Sequence, residues 1–144
     1  MKRDLNYPDI MFRGISNQKF IVDNIVQLDA FALDPVRKDG YCEISITWCD
    51  DELALNTLLM QTKIDNEIQF KAGAAEISFI SLKLLMKPFL NNESLKYERK
   101  PSLANKYHGN LLINDAISRK LKQQIRSSLA TLASGTIHEN PFMK

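Results

Sequence analysis

The residues best suited to chemistry lie in three short segments, and the first segment contains one arginine among apolar neighbours. Arg13 stands in IMFRGI (10–15). A guanidinium in such a position presents a planar fork of N–H donors, which binds a carboxylate or a phosphate. The alternative is that the segment forms an edge strand with Arg13 on its solvated side. The sequence therefore makes Arg13 a candidate ligand-binding residue.

The second segment alternates between polar and apolar residues over YCEISITW (41–48). In an extended strand, Glu43, Ser45 and Thr47 point to the same side. If that side faces a cleft, Glu43 can act as a general base or bind a ribose hydroxyl, and Ser45 can orient the ligand. If it faces water, these residues are the solvated side of a half-covered sheet.

The third segment, NKYHGN (105–110), places a histidine in a turn that leads into an apolar run. The imidazole of His108 has an ordinary pKa of about 6.5, which suits a general acid–base group. Glu98, ten residues earlier, is a further acid–base candidate. The alternative is that His108 is a structural residue bonded to a loop carbonyl.

Basic residues are concentrated in the second half of the chain. Residues 1–72 carry a charge balance of −4 and residues 73–144 one of +6, which together give the net charge of +2. Arg119, Lys122 and Arg126 are predicted to lie on the outward side of a terminal helix, where such residues bind nucleic acid in some proteins. The alternatives are ordinary solvation of that helix and complementary surfaces that meet within one fold.

The motifs of several large enzyme classes are absent from the sequence. It contains no Gly-x-x-x-x-Gly-Lys-Ser/Thr, Gly-x-Gly-x-x-Gly, Cys-x-x-Cys, His-Glu-x-x-His or Gly-x-Ser-x-Gly. The two histidines and two cysteines have spacings that match no common zinc site, so we expect no metal. Cys42 and Cys49 are seven residues apart and would point to opposite sides of one strand, which argues against a disulfide between them.

Hydrophobic periodicity predicts a mixture of strands and helices. The segment 41–48 is the clearest strand, and a short helix is predicted over 53–63. A long C-terminal helix follows from the stripe Ile117, Leu121, Ile125, Ser128, Leu129 and Leu132, with a cap at Asn114 or Asp115 and a stop at 134–135. Further strands are predicted over 10–15, 25–31, 68–70, 95–98 and 109–113, and the segment 74–86 is assigned to a strand in preference to a helix. The fold class is therefore α+β, with a mostly antiparallel twisted sheet and the long helix packed on one face.

The composition describes a globular chain with 44% hydrophobic and 25% charged residues. Its length of 144 residues predicts a single domain over 1–135, followed by a mobile tail over 136–144. The first eight residues lack the apolar stretch of a secretory signal, and no run is long and apolar enough to cross a membrane. With only two cysteines, we expect a cytoplasmic protein.

Four motifs occur in a recognisable order: FRGI (12–15), AF (30–31), ISI (44–46) and NKYH (105–108). This order resembles that of a group of small bacterial proteins without an assigned function, and it spans most of the chain. A looser similarity relates the chain to the ADP-ribosyltransferase fold, in which an aromatic-Arg-Gly strand binds the NAD phosphates and a late glutamate polarises the ribose. That resemblance implies NAD as cofactor, Arg13 on its phosphates, and Glu43 or Glu98 in place of the glutamate.

Two classes of function follow from these observations. Because every catalytic motif is absent or incomplete, we expect a non-catalytic protein-interaction module without a cofactor. Such a module acts as an accessory or regulatory protein of the immunity, toxin–antitoxin or defence-system type, and its partner is another protein or a second copy. The alternative is an NAD- or nucleotide-handling enzyme, in which Arg13 binds phosphate, Ser45 orients the ligand and His108, Glu43 or Glu98 moves the proton.

Overall fold

A computed structural model describes residues 8–87 and 94–143 of the chain. The strands are β1 (Ile10–Ile15), β2 (Ile21–Val22), β3 (Ile25–Val26), β4 (Tyr41–Trp48), β5 (Gly73–Ser78), β6 (Leu95–Arg99), β7 (His108–Asn114) and β8 (Ile137–His138). The helices are α1 (Ala54–Leu59), α2 (Phe79–Met86) and α3 (Arg119–Ala133), and short 3-10 helices cover Gln18–Phe20 and Leu28–Phe31. The expected α+β class is confirmed.

Six of the strands form one antiparallel sheet in the order β6-β7-β4-β1-β5-β8, and β2 pairs with β3 in a separate hairpin. The sheet has an apolar core on each face. Helices α2 and α3 cover one face over a core that includes Ile44, Trp48 and Leu129. Helix α1 covers part of the other face, where Leu58 packs with Phe12.

The predicted strand over 41–48 is confirmed with both of its ends. Its alternate apolar residues are buried on one face of the sheet, as the pattern predicts. Ile44, Ile46 and Trp48 are at most 2% exposed and face the α3 core. Strand β4 pairs with β7 from Tyr41↔Asn114 to Thr47↔His108, which places it near the centre of the sheet. Strand β1 also has the predicted ends, and the strands predicted over 95–98 and 109–113 are confirmed, with one residue more in β6 and two more in β7.

The assignment of 74–86 to one strand is wrong for its second half, where helix α2 begins at Phe79. The apolar content of this segment suits either structure, and a local cap decides between them. The Ser78 hydroxyl accepts a hydrogen bond from the Ser81 amide and donates one to the Asp9 carboxylate, which also accepts from the Ile80 amide. Side-chain acceptors for the first amides of a helix favour its start at this point.

Three other predictions differ from the structure in extent. The strand predicted over 25–31 is the two-residue β3 followed by the 3-10 helix Leu28–Phe31. The helix predicted over 53–63 is shortened to α1, and the strand predicted over 68–70 is reduced to the isolated bridge Thr62↔Ile68. These segments are short, so their apolar pattern does not separate a strand or a helix from a turn.

The C-terminal helix exists, but its cap and its buried stripe differ from the prediction. Ser118 caps α3, since its hydroxyl accepts from the Leu121 amide, whereas Asn114 accepts from the Ala116 amide outside the helix. Ile125 and Leu129 are fully buried, and Ala130 and Ala133 complete the buried side. Leu121 is only half-buried. The centre of the apolar stripe therefore lies in the second half of α3.

Part of the segment 136–144, for which the sequence predicts a mobile tail, lies against the sheet. Ile137 and His138 form β8 and pair with Ala75 and Ala74 of β5. The Asn140 side chain is buried and donates to the carbonyl oxygens of Leu59 and Phe70. The amino-terminal residues 1–7, on which the expectation of no secretory signal rests, lie outside the described residues.

We expect Leu129→Ala to lower the free energy of unfolding by about 2–5 kcal/mol, because it removes a fully buried side chain and leaves a cavity. Leu121→Ala is the matched control and should cost about 1 kcal/mol, since its side chain is half exposed. Urea denaturation of both variants measures the difference. A greater loss of stability for Leu121→Ala would contradict the packing of α3 described above.

A buried tyrosine fixes the chain before α1. The Tyr107 hydroxyl donates to the Asp51 carboxylate, with distances of 2.7 and 2.8 Å to its two oxygens. This hydrogen bond, with a second from the Leu53 amide, lowers the pKa of the Asp51 carboxyl below its ordinary value. A lowered pKa in the folded state adds stability above the unfolded-state pKa, and that stability is lost as the pH falls through the folded-state pKa.

We therefore expect Tyr107→Phe to raise the pKa of the Asp51 carboxyl toward its ordinary value, and to weaken the loss of stability in acid. A carbon-detected NMR titration of the Asp51 carboxyl measures this shift directly. As a control, Tyr97→Phe should leave the Asp51 pKa unchanged. An Asp51 pKa that is the same in Tyr107→Phe as in the wild type would show that the hydrogen bond is not the cause.

Candidate functional site

The sheet splits between two of its central strands. Strand β1 pairs with β5 along its whole length, from Ile10↔Ser78 to Ile15↔Gly73. Its ladder with β4 contains only Met11↔Trp48 and Phe12↔Thr47. Continued in the same register, the ladder would next pair Gly14 with Ser45 by hydrogen bonds, because bonded pairs alternate in an antiparallel ladder. We call this region the β1–β4 gap.

Arg13 spans the β1–β4 gap. Its Nε donates to the Ala30 carbonyl at 3.0 Å, and its Nη1 donates to the Ser45 carbonyl at 2.7 Å. The guanidinium also lies 5.8 Å from the centre of the Phe31 ring. Burial lowers the pKa of the Arg13 guanidinium, and the nearby Asp34 carboxylate opposes that shift. The expected guanidinium fork exists, but two of its donors are used by backbone carbonyls.

A cavity of about 310 Å³ opens at the β1–β4 gap and brings together three of the predicted residues. Arg13, Ser45 and His108 all line it. Its polar lining also includes Ser16, Gln61 and Gln69, and an apolar wall is formed by Phe12, Leu58 and Phe70. The wall depends on Gly14, because a Cβ atom at that position would lie 2.4 Å from the Phe70 ring. A single concave site therefore contains a cation, hydroxyls, amides and an apolar surface.

His108 is held in the way that its structural alternative describes. Its Nδ1 lies 2.9 Å from the carbonyl oxygen of Lys100. Because a carbonyl oxygen can only accept, Nδ1 carries the hydrogen, and Nε2 is an acceptor while the ring is neutral. The ring is thus fixed to a loop at the edge of the cavity, with one nitrogen left for other contacts.

Glu43 and Glu98 lie close together because a third residue holds them. Arg37 Nη1 donates to Glu43 at 3.2 Å and to Glu98 at 2.8 Å, while Nη2 donates to Asp39 at 2.8 Å. The hydrogen bond to Glu98 is the main cause of a raised pKa of the Arg37 guanidinium. Neither glutamate is among the described residues that line the cavity. The sequence analysis did not identify Arg37. Its guanidinium occupies carboxylate oxygens of Glu43 and Glu98 that a general base would need free.

A buried asparagine lies between the cavity and the Arg37 cluster. Asn110 is fully buried, and both its Nδ2 and its Oδ1 lack a hydrogen-bond partner among the described residues. It is paired with Ser45 on one side and with Glu98 on the other. A buried amide without partners costs about 1–3 kcal/mol. No signal in the sequence distinguishes this asparagine from an ordinary turn residue.

The three basic residues predicted on the outer side of α3 do not form one surface. Arg119 is exposed, as expected. Lys122 donates to Asp115 at 2.7 Å. Arg126 points inward, and its Nε and Nη2 donate to the carbonyls of Phe31 and Leu28. Two of the three cations are therefore committed to contacts within the fold.

The potential metal ligands, the cysteines and the helix lengths of the described ranges bear on metal binding and membrane insertion. Within residues 8–87 and 94–143, no group of three or more potential metal ligands occurs. Cys42 and Cys49 are free thiols, and burial raises the pKa of each. In the same part of the chain, no helix has the length and apolar character needed to span a bilayer.

No match was found among models of protein families, among curated proteins or among solved structures.

Proposed function

We propose that the chain is a non-catalytic protein-interaction module, which acts in the cytoplasm as an accessory or regulatory protein of the immunity, toxin–antitoxin or defence-system type. Its partner is another protein that covers the mouth of the cavity. The observation that carries this proposal is the complete exposure of two large aliphatic side chains beside the cavity. Ile64 and Leu103 have relative exposures of 105% and 110%.

Both side chains stand on loops that border the cavity. Along the chain, Ile64 lies between Gln61 and Gln69, and Leu103 lies five residues before His108. Gln61, Gln69 and His108 line the cavity, whereas Ile64 and Leu103 do not. We call Ile64 and Leu103 the rim. Single exposed apolar residues are common on protein surfaces, whereas exposed apolar residues that together form a patch are typical of interaction surfaces. The rim thus offers apolar area that only a partner can remove from water.

Hydrogen bonds hold the two rim loops in place. The Lys63 amide donates to the Glu67 carbonyl, and the bridge Thr62↔Ile68 closes the first loop behind Ile64. The second loop is fixed by Asn105, whose Nδ2 donates to Thr47 at 2.9 Å and contacts Gln61 at 3.4 Å. Loops that are ordered before binding lose less conformational entropy when a partner binds.

The surroundings of the acid–base candidates also support a non-catalytic function. Glu43 and Glu98 are both hydrogen-bonded to Arg37, and neither is among the described residues that line the cavity. A general base must reach the substrate proton with a free lone pair. In the described part of the chain, neither glutamate meets that requirement at the cavity.

A double variant tests the rim directly. We expect Ile64→Ser with Leu103→Ser to weaken partner binding by at least tenfold, because each substitution removes most of an exposed aliphatic side chain from the interface. The matched control is Leu84→Ser with Leu85→Ser, two exposed leucines of α2 on the opposite face of the sheet. Quantitative affinity capture with the wild type and both variants, followed by titration of the captured protein, gives the affinities.

Thermal melts of both variants should stay close to that of the wild type, because exposed substitutions change stability by about 0.5 kcal/mol or less. Sedimentation velocity shows whether the captured partner is a second copy of the chain. Equal binding by the rim variant and the wild type would contradict the proposal, as would a loss confined to the α2 variant.

A second candidate is the NAD- or nucleotide-handling enzyme. One observation favours it, namely that Arg13, Ser45 and His108 line the same cavity. One observation opposes it: Arg37 holds both glutamates, and neither is among the described residues that line the cavity. We therefore place it behind the interaction module.

A further inference from the structure

We propose that the cavity at the β1–β4 gap is a binding site for a small organic carboxylate, with the carboxylate on Arg13 and the apolar part of the molecule against Phe12 and Phe70. This site does not depend on the proposed protein partner. It is argued from unused donors, the charge of the lining and the shape of the cavity.

The guanidinium of Arg13 keeps donors that the fold does not use. A guanidinium has five N–H groups. One on Nε and one on Nη1 donate to the carbonyls of Ala30 and Ser45, which leaves one on Nη1 and two on Nη2. Nη2 has no hydrogen-bond partner among the described residues. It is not fully enclosed either, so solvent or a ligand can reach it. Nη1 is bonded to the carbonyl of Ser45, and both Arg13 and Ser45 line the cavity, so the remaining donors are assigned to the cavity side of the β1–β4 gap.

The charge of the lining favours an anion. Arg13 donates only to neutral carbonyls, and the nearby Asp34 carboxylate acts on its charge without a hydrogen bond to it. The described residues that line the cavity include no aspartate or glutamate. A cation that is partly removed from water gains most from a counter-charge at short range. Two neighbouring N–H groups on Nη1 and Nη2 match the two oxygens of a carboxylate.

The apolar part of the lining favours an organic acid over an inorganic anion. Phe12, Leu58 and Phe70 form an apolar wall. Inorganic phosphate has no apolar part to place against this wall, and Arg13 is the only permanent cation among the described lining residues. The volume of about 310 Å³ equals roughly ten water volumes. It therefore suits a carboxylate with a compact apolar body, while the hydroxyls of Ser16 and Ser45 offer further donors.

Titration with three probes tests the site. Benzoate has the proposed chemistry, benzamide is its uncharged analogue of the same shape, and inorganic phosphate has charge without an apolar body. We expect benzoate to shift the NMR signals of the amides of Gly14, Ser45 and His108. Benzamide and phosphate should bind at least tenfold more weakly, because loss of a charge-assisted hydrogen bond or of the apolar contact costs at least that factor.

Three variants assign the site to these residues. Arg13→Lys keeps the charge but loses the fork, and should weaken benzoate binding at least tenfold. Ser45→Leu fills the cavity without a change of charge and should abolish binding, so the test does not rely on Arg13→Lys alone. Arg119→Lys is the control and should bind like the wild type.

The proposal is overturned if benzoate shifts no cavity amide, if benzamide or phosphate binds as tightly as benzoate, or if Ser45→Leu binds with wild-type affinity. The rim variant with Ile64→Ser and Leu103→Ser should bind benzoate normally. A failure of the carboxylate site is thus separate from a failure of the interaction module.

Discussion

The structure depends on how the backbone carbonyls at the β1–β4 gap obtain hydrogen bonds. The ladder between these strands ends at Phe12↔Thr47, so the carbonyl of Ser45 receives no hydrogen bond from a backbone amide of β1. The guanidinium of Arg13 supplies that donor and a second one for Ala30. A buried carbonyl without a partner costs free energy comparable to a lost hydrogen bond, so this one side chain makes the divergence of the strands tolerable.

A second arginine completes the same arrangement from the other side. Arg126 of α3 donates to the carbonyls of Leu28 and Phe31, at the two ends of the 3-10 helix Leu28–Phe31. The short helix is therefore held between the sheet and α3 by two guanidinium groups. The divergence of β1 from β4 that Arg13 permits also opens the cavity, and the rim loops border it. The divergence of β1 from β4 thus underlies the hydrogen bonds of Arg13 to backbone carbonyls, the cavity and the proposed interaction surface.

Local patterns in the sequence predicted those parts of the fold whose burial follows the pattern. The ends of β1 and β4 were found because alternation and β-branched residues coincide with burial on one side of each strand. The segment 74–86 could not be divided, because its apolar residues suit a strand and a helix equally and the deciding contact comes from Asp9. The predicted α3 stripe included Leu121, which is only half-buried, since periodicity gives a side of a helix but not how far along it the sheet extends.

The site was predictable in its residue types but not in their use. Arg13, Ser45 and His108 were identified separately, and only the pairing of β1, β4 and β7 brings them to one cavity. The ion pair of Glu98 was not predictable, because Arg37 reaches it across 61 residues of chain and no spacing rule contains that contact. In the sequence, Arg13 and Arg126 cannot be distinguished from arginines that bind a ligand. In the structure, both donate hydrogen bonds to backbone carbonyls. The rim residues carry no periodic signal because they stand alone in loops.

The central claim is that the Arg13 guanidinium holds the β1–β4 gap. Urea denaturation of Arg13→Met tests it most directly, because methionine keeps an unbranched apolar side chain and removes both donors. We expect a loss of about 2–4 kcal/mol in the free energy of unfolding, as two partly buried carbonyls lose their partners. Arg119→Met, an exposed matched control, should stay within about 0.5 kcal/mol of the wild type. An Arg13→Met protein as stable as the wild type would contradict the account.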